Sequence, residues 1–239
     1  MQTQFAKIGS NVAFAFMLVA CGEVAVAPSN DNVVNVYNWA EYIGANTLQR
    51  FEAEYGIKVN YDTYPSSEVL DSKLLIGRSG YDVVVHSNSF AARFTPLGMY
   101  EKLDMSRFSN LKNLDPTIMS RLNLYPAVRD YNIPYHWGTT GFSWNAEMCV
   151  AQSWSGAYGQ ALRRTKEAGI EIDLRYTVPE EGSAIWVDGL YILSDAPHRD
   201  NAYLFLDFMM RAEVAAEIAE TVCYVLRSSN SEDPPASPT

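Results

Sequence analysis

The sequence predicts an α/β fold, a parallel sheet with helices packed on its faces. Two observations carry this. Between residues 33 and 85, strand-like alternation and helical spacing take turns in the order β-α-β-α-β, and such alternation closes most readily as parallel strands joined by crossover helices. The chain is also long and apolar enough to build one large domain or two smaller lobes, at 239 residues of which 48% are hydrophobic and 19% charged.

Residues 33–38 (VVNVYN) alternate as a first strand. Residues 46–55 read as a helix, with Leu48, Phe51 and Tyr55 near helical spacing and Gly56 as its stop. Ile57, Val59 and Tyr61 alternate as a second strand. Pro65-Ser66 opens a helix at 67–76, ended by Gly77. The short apolar run 81–85 reads as a third, fully buried strand. Further on, 133–137 and 141–144 read as two strands joined by Gly138-Thr139-Thr140. An apolar run at 148–151 leads into Gln152-Ser153-Trp154-Ser155-Gly156, and 157–168 reads as a helix with a basic patch at Arg163, Arg164 and Lys166. Strands are expected at 172–178 and 184–193, and helices at 199–209 and 212–222. There is no internal repeat.

In open α/β sheets, ligands sit beyond the carboxyl ends of the strands. Asn38-Trp39-Ala40-Glu41-Tyr42 follows the first strand and His86-Ser87-Asn88-Ser89-Phe90 follows the third. Two loops rich in polar and aromatic groups are therefore expected at one edge. Trp39 and Tyr42 either cap the core there and leave Glu41 solvated, or they face a ligand together with it. Aromatics beside carboxylates suit an organic cation. An ammonium over an indole or phenol face gains about 0.5–2 kcal/mol, and a carboxylate adds a charge-assisted hydrogen bond of about 1.5–3 kcal/mol. Glu41 lies close to Trp39, and Asp188 close to Trp186, which favours an amine over a sugar. A sugar or peptide stays open if the two acids face away.

Composition and motifs narrow the alternatives. The net charge of −10 opposes nucleic acid and anionic membranes and favours cationic ligands, unless it serves solubility alone. Cys21, Cys149 and Cys223 form neither a disulfide scaffold nor a metal motif. His86, His136 and His198 stand far apart, as surface or packing residues. Ser153-Trp154-Ser155-Gly156 lacks the glycines of a nucleophile elbow. No dinucleotide fingerprint or phosphate loop occurs, and Glu180-Glu181 sits in a turn-like stretch where adjacent acids are ordinarily solvated. The pattern offers no assembled catalytic set, no metal site and no cofactor.

Residues 1–20 read as an export signal, with Lys7 ahead of an apolar run at 12–20 that is far shorter than the about 20 residues of a bilayer span. Leu18-Val19-Ala20-Cys21 looks like a lipobox, which makes Cys21 the lipidation residue; cleavage after Ala25-Val26-Ala27 is the rival, disfavoured by Pro28. Either places the mature chain outside the cytoplasmic membrane. Residues 21–32 read as a tether, and the polar, Pro-rich tail at 227–239 is expected to be disordered.

Several stretches together resemble one family. VYNWAEYI, FEAEYGIKVNYDTYPSSEVLDSKLLIGRSGYDVVVHSNSF, NLKNLDP, IPYHWGTTGFSWN, SWSGAYGQALRRTKEAG and AYLFLDFMMRAEVAAEI resemble, in order and over about residues 33–224, the periplasmic polyamine-binding proteins of ABC importers, nearest the putrescine-binding branch. The resemblance implies a periplasmic binding protein fold of type II, two α/β lobes that close on a polyamine. It implies that Trp39 stacks on the methylene chain, that Glu41 pairs with an ammonium, that Tyr42 and Ser87 line the same lobe, that Trp154 is the aromatic of a Trp-x-Gly segment, and that Trp186 and Asp188 grip another amine. It also implies an ABC permease as partner and a monomeric carrier, with no nucleic acid and no membrane contact beyond the lipid anchor. Putrescine and spermidine are both open.

The chain also departs from this family. After Asn145-Ala146-Glu147 the family continues through a long stretch of the second lobe, with a further acidic contact, where this chain runs directly into MCVAQSWSGA. Ala157 stands where an acid often follows Trp-x-Gly, and after Tyr224 the family's final helices and another binding aromatic give way to the tail. Cys149 lacks the partner that some relatives supply from the missing stretch, and a Cys149–Cys223 bridge in an oxidising compartment is left open. The expectation is a first lobe over 33–145 and a shortened second lobe plus return segment over 146–226, with an incomplete cleft of reduced affinity. A compact variant, a decayed paralogue, a frameshift or a gene-model error would each produce such a chain. A ligand-weak interaction or sensory protein is the alternative function.

Overall fold

A computed structural model describes residues 32–145 and 150–224. The export segment with Cys21, nearly all of the tether, Met148, the Cys149–Cys223 pairing and the tail at 227–239 lie outside the described residues.

The first half builds as its patterning dictates. β1 (Val33–Trp39) pairs in parallel with β2 (Lys58–Tyr64) on one side and with β3 (Val83–Ser87) on the other. Successive β3 residues point to opposite faces. Val83 and Val85 join one apolar cluster with Val34, Val36, Phe51, Phe205 and Phe208, while Val84 joins a second with Tyr37, Tyr64, Leu70, Leu74 and Phe94. A strand buried on both faces is apolar throughout, and each such side chain taken out of water contributes roughly 1.5–3 kcal/mol.

The helices begin and end for local reasons. α1 (Thr47–Tyr55) stops at Gly56, whose φ of 64° lets its N–H reach the Glu52 carbonyl at 2.9 Å. Its N-terminus has no cap of its own. Glu217 supplies one from α7 (Ala212–Val222), accepting from the Asn46 N–H at 2.8 Å and pairing with Arg50 at 2.8 Å. α2 (Ser67–Ile76) begins at Ser66, whose side chain accepts from the Val69 N–H, and ends at Gly77. The segment after β3 is a helix, α3 (Asn88–Phe94), rather than the expected loop, and the strand itself runs through His86 and Ser87. Between α3 and the next strand lie short 3-10 turns and α4 (Pro116–Arg121).

The largest correction concerns 132–144. Instead of two strands joined at Gly138-Thr139-Thr140, this is one strand, β4 (Asn132–Trp144). Its first part pairs antiparallel with β7 (Ile185–Ile192), with a register shift between Pro134 and His136; its last part pairs with β5 (Ala151–Trp154) and β6 (Arg175–Thr177). β6 is shorter than the expected 172–178. The sheet order is β2-β1-β3-β7-β4-β5, with β6 also on β4, so β4 runs from β7 out to β5 and β6, and β7 returns the chain to β3. β7 pairs antiparallel with β3, which makes the sheet mixed. α6 (Arg199–Met209) and α7 pack into the apolar cluster of Val34, Val36 and Phe51 with Phe205, Phe208 and Ile218. Beyond the last part of β4 the described residues add β5, α5 (Ser155–Glu167) and β6.

Of the histidines, His86 and His136 are packed in the core, and His198 donates its backbone N–H to Asp82, its ring lying 3.0 Å from the same carboxylate. None is at the surface.

Candidate functional site

The turn after β1 is built around Asn38. Its side-chain oxygen accepts from the Trp39 N–H at 2.7 Å and its amide donates to the Tyr42 carbonyl at 3.3 Å. The Tyr135 hydroxyl donates to that same carbonyl at 2.6 Å. Tyr42 is thereby fixed, buried edge-on against Tyr135, His136 and Tyr224, and its hydroxyl donates to Asp188 Oδ2 at 2.9 Å.

Asp188 sits on β7 opposite Ser87 of β3 and His136 of β4. It is 6% exposed. Burial pushes its carboxyl up to about 7, against the opposing hydrogen bonds of Tyr42 and Ser87. Burial drives His136 the other way, down to about 3, so the ring opposite Asp188 is neutral. The Tyr42 phenol is raised well above its ordinary value, first by burial and then by Asp188, and stays a donor.

Around this carboxylate is a cleft of about 420 Å³. β1 and the turn after it, β3, β7 and the starts of α2 and α3 contribute Trp39, Tyr42, Ser67, Ser87, Phe90, Trp186 and Asp188, and Tyr224 closes the cleft just beyond α7. Trp154, Ala157 and Gln160, at the end of β5 and on α5, form the facing wall. Trp39 packs on Tyr64 with ring centroids 4.5 Å apart, and Trp186 meets Tyr224 edge-on at 5.2 Å. Trp154 stays 56% exposed. Two glycines permit this assembly. A Cβ at Gly156 would lie 2.3 Å from the Tyr224 ring, and one at Gly138 would lie 2.5 Å from Trp186.

Six residues singled out in the sequence therefore meet in one cleft: Trp39, Tyr42, Ser87, Trp154, Trp186 and Asp188. Glu41 does not line it. Its backbone is left-handed (φ 55°), and its carboxylate forms an ion pair with Arg164 of α5. Ser67, Phe90, Gln160 and Tyr224 line the cleft without having been singled out. Phe90 stood in a stretch already suspected, and Tyr224 had no local signal. No cationic side chain is among the lining residues, and no cluster of metal-ligating groups occurs among the described residues. The arrangement can hold an alkyl chain between aromatic faces and one cation at the carboxylate.

Comparison with known proteins bears on the family of the chain. Residues 30–148 and 147–237 each match a family of bacterial extracellular solute-binding proteins. The putrescine-binding periplasmic protein SpuD of Pseudomonas aeruginosa is 32% identical over 298 aligned positions, covering 86% of this chain and 81% of that protein. Since 298 positions exceed the 239 residues of this chain, the alignment carries gaps here. The putrescine-binding periplasmic protein PotF of Escherichia coli is 27% identical, covering 89% and 82%. In fold, the spermidine/putrescine ABC transporter substrate-binding protein PotD of Streptococcus pneumoniae superposes with a TM-score of 0.72 at 22% identity, covering 82% of this chain and 83% of that one.

Proposed function

The chain belongs to the periplasmic polyamine-binding proteins of ABC transporters, and from that premise we propose that its cleft captures a polyamine by one ammonium at Asp188 and by its methylenes between Trp39, Trp154 and Trp186. The protein is a substrate-binding subunit for polyamine uptake, works in the periplasm and catalyses nothing. Delivery of the ligand is to a membrane permease of the same transporter, by a monomeric carrier.

The observation that carries the ligand assignment is the pairing of one buried carboxylate with aromatic walls and no cationic side chain. Asp188 has neutral partners alone, so an entering ammonium supplies its counter-charge, while the indoles supply cation–π and apolar contact. A sugar would leave the carboxylate buried without a counter-charge.

A second reading, a ligand-weak docking or sensory protein, draws on a different observation. β5 and β6 have no buried residue and α5 buries Gly156 alone, so the facing wall is thin. A tryptophan-fluorescence titration of the full chain with putrescine, spermidine and glucose separates the two. The carrier reading expects saturable response to a polyamine and none to glucose. It also expects Asp188→Asn to lower affinity by about 30-fold or more, since loss of a buried charge contact costs about 2–5 kcal/mol. A folded protein silent to millimolar polyamine would leave the docking reading.

A further inference from the structure

We infer that Arg164 tunes how tightly this cleft holds a ligand with a second ammonium, by neutralising Glu41 at its rim so that Asp188 remains the carboxylate open to an ammonium. The inference rests on the amine-binding reading of the same cleft.

Three observations place Arg164 there. Glu41 lies between Ala40 and Tyr42, both of which line the cleft. Arg164 lies one helical turn beyond Gln160 on the face of α5 that also presents Ala157, and both of those line the opposite wall. Their ion pair therefore bridges the cleft's rim from one lobe to the other. A second carboxylate is thus present beside the cleft and already matched with a cation of the protein itself.

The consequence follows from charge. A ligand with one ammonium needs Asp188 alone. A diammonium ligand has a second charge, which gains a carboxylate partner at this rim on displacing Arg164 from Glu41 and otherwise meets the guanidinium's like charge. Both partners are more than half exposed, so displacement is affordable: exposed pairs are worth up to about 1 kcal/mol. Arg164 thus lowers diamine affinity moderately and leaves a monoamine of the same length untouched.

The test uses calorimetric titration of the full chain with putrescine and with 4-amino-1-butanol, which keeps the length and one ammonium. Arg164→Gln is expected to raise putrescine affinity about three- to tenfold, from loss of the competing pair and of like-charge repulsion, and to leave 4-amino-1-butanol unchanged. Glu41→Gln in the Arg164→Gln background is expected to remove that gain, which assigns it to the freed carboxylate rather than to a rearranged helix. The inference is overturned if Arg164→Gln leaves putrescine affinity unchanged or lowers it, or if both ligands shift together, while Asp188→Asn still weakens both. If no variant binds either amine, the amine-binding reading itself fails and this one with it.

Discussion

A buried carboxylate with neutral neighbours makes its grip on a cation depend on pH. Asp188 holds its proton up to about 7 because burial disfavours its charge, whereas a bound ammonium would keep it ionised. Capture then draws on the ionised form. Polyamine affinity should be level from about pH 8 until the ligand's own amines begin to deprotonate toward about 10, and fall by up to about tenfold for each unit below about 7, until the ligand-bound pKa is reached. Titrations at about pH 5.5, 7 and 8.5 check this, and a flat profile would remove Asp188 from the ligand contact. The same shift acts on folding. The unfolded carboxyl titrates near its ordinary 3.8 and the folded one near 7, so the folded state binds the extra proton between these values. The stability this group contributes is full below about pH 4 and is lost as pH rises through 7. Asp188→Asn should therefore gain stability relative to the parent between pH 5 and pH 8, on the order of a few kcal/mol, in urea unfolding at the two values. A residue kept at a cost to folding at the pH where it is ionised makes sense as a ligand contact.

At the scale of elements, the glycines decide how closely the two walls approach. Gly156 sits at the start of α5 with Tyr224 where its Cβ would be. Gly156→Ala should destabilise by about 1–3 kcal/mol through overpacking and displace Tyr224 from the cleft, lowering both the urea midpoint and polyamine affinity. An unchanged midpoint would mean that α5 shifts freely. The same contacts explain what the sequence reveals and what it hides. Ser66, Gly56 and Gly77 act on their own helices, so their punctuation is legible locally. Gly138-Thr139-Thr140 has the composition of a turn but lies inside β4, because Gly138 makes room for Trp186, which is distant in sequence. α3 is masked by its polar opening, Asn88-Ser89, which begins a helix because β3 ends directly at Ser87. Glu41 has the sequence surroundings of a ligand acid. Its partner Arg164 is 123 residues away, and no local pattern could reveal that pair.

At the scale of the whole molecule, the two walls of the cleft differ in what holds them. Asp188, Tyr42 and Ser87 stand on or just after β7, β1 and β3, where two apolar clusters are packed on opposite faces of the sheet. Trp154 and Gln160 stand on β5 and α5, which bury little of their own. α5 is held largely from outside: Gln160 donates to the Val222 carbonyl at 2.9 Å, Arg163 donates to the Glu220 carbonyl at 3.0 Å, and Arg164 pairs with Glu41. Hydrogen bonds of this kind, on a surface with few buried apolar contacts, open with a small fraction of the global unfolding free energy. Amides of β5, α5 and β6 should therefore exchange with solvent at least about 100-fold faster than those of β1, β3 and β7, while the far half of β4 lies between. A ligand that touches both walls binds the assembled cleft and not the opened one. At a concentration of about 100 Kd, putrescine should slow exchange in α5 by up to about 100-fold and leave the local openings of β1, β3 and β7 nearly unmoved. Exchange mass spectrometry with and without putrescine reads both effects. Slow exchange of α5 in the free protein would mean that the wall of β5 and α5 is as firmly built as the one facing it, and protection confined to β1, β3 and β7 would mean that the ligand is held by one wall alone.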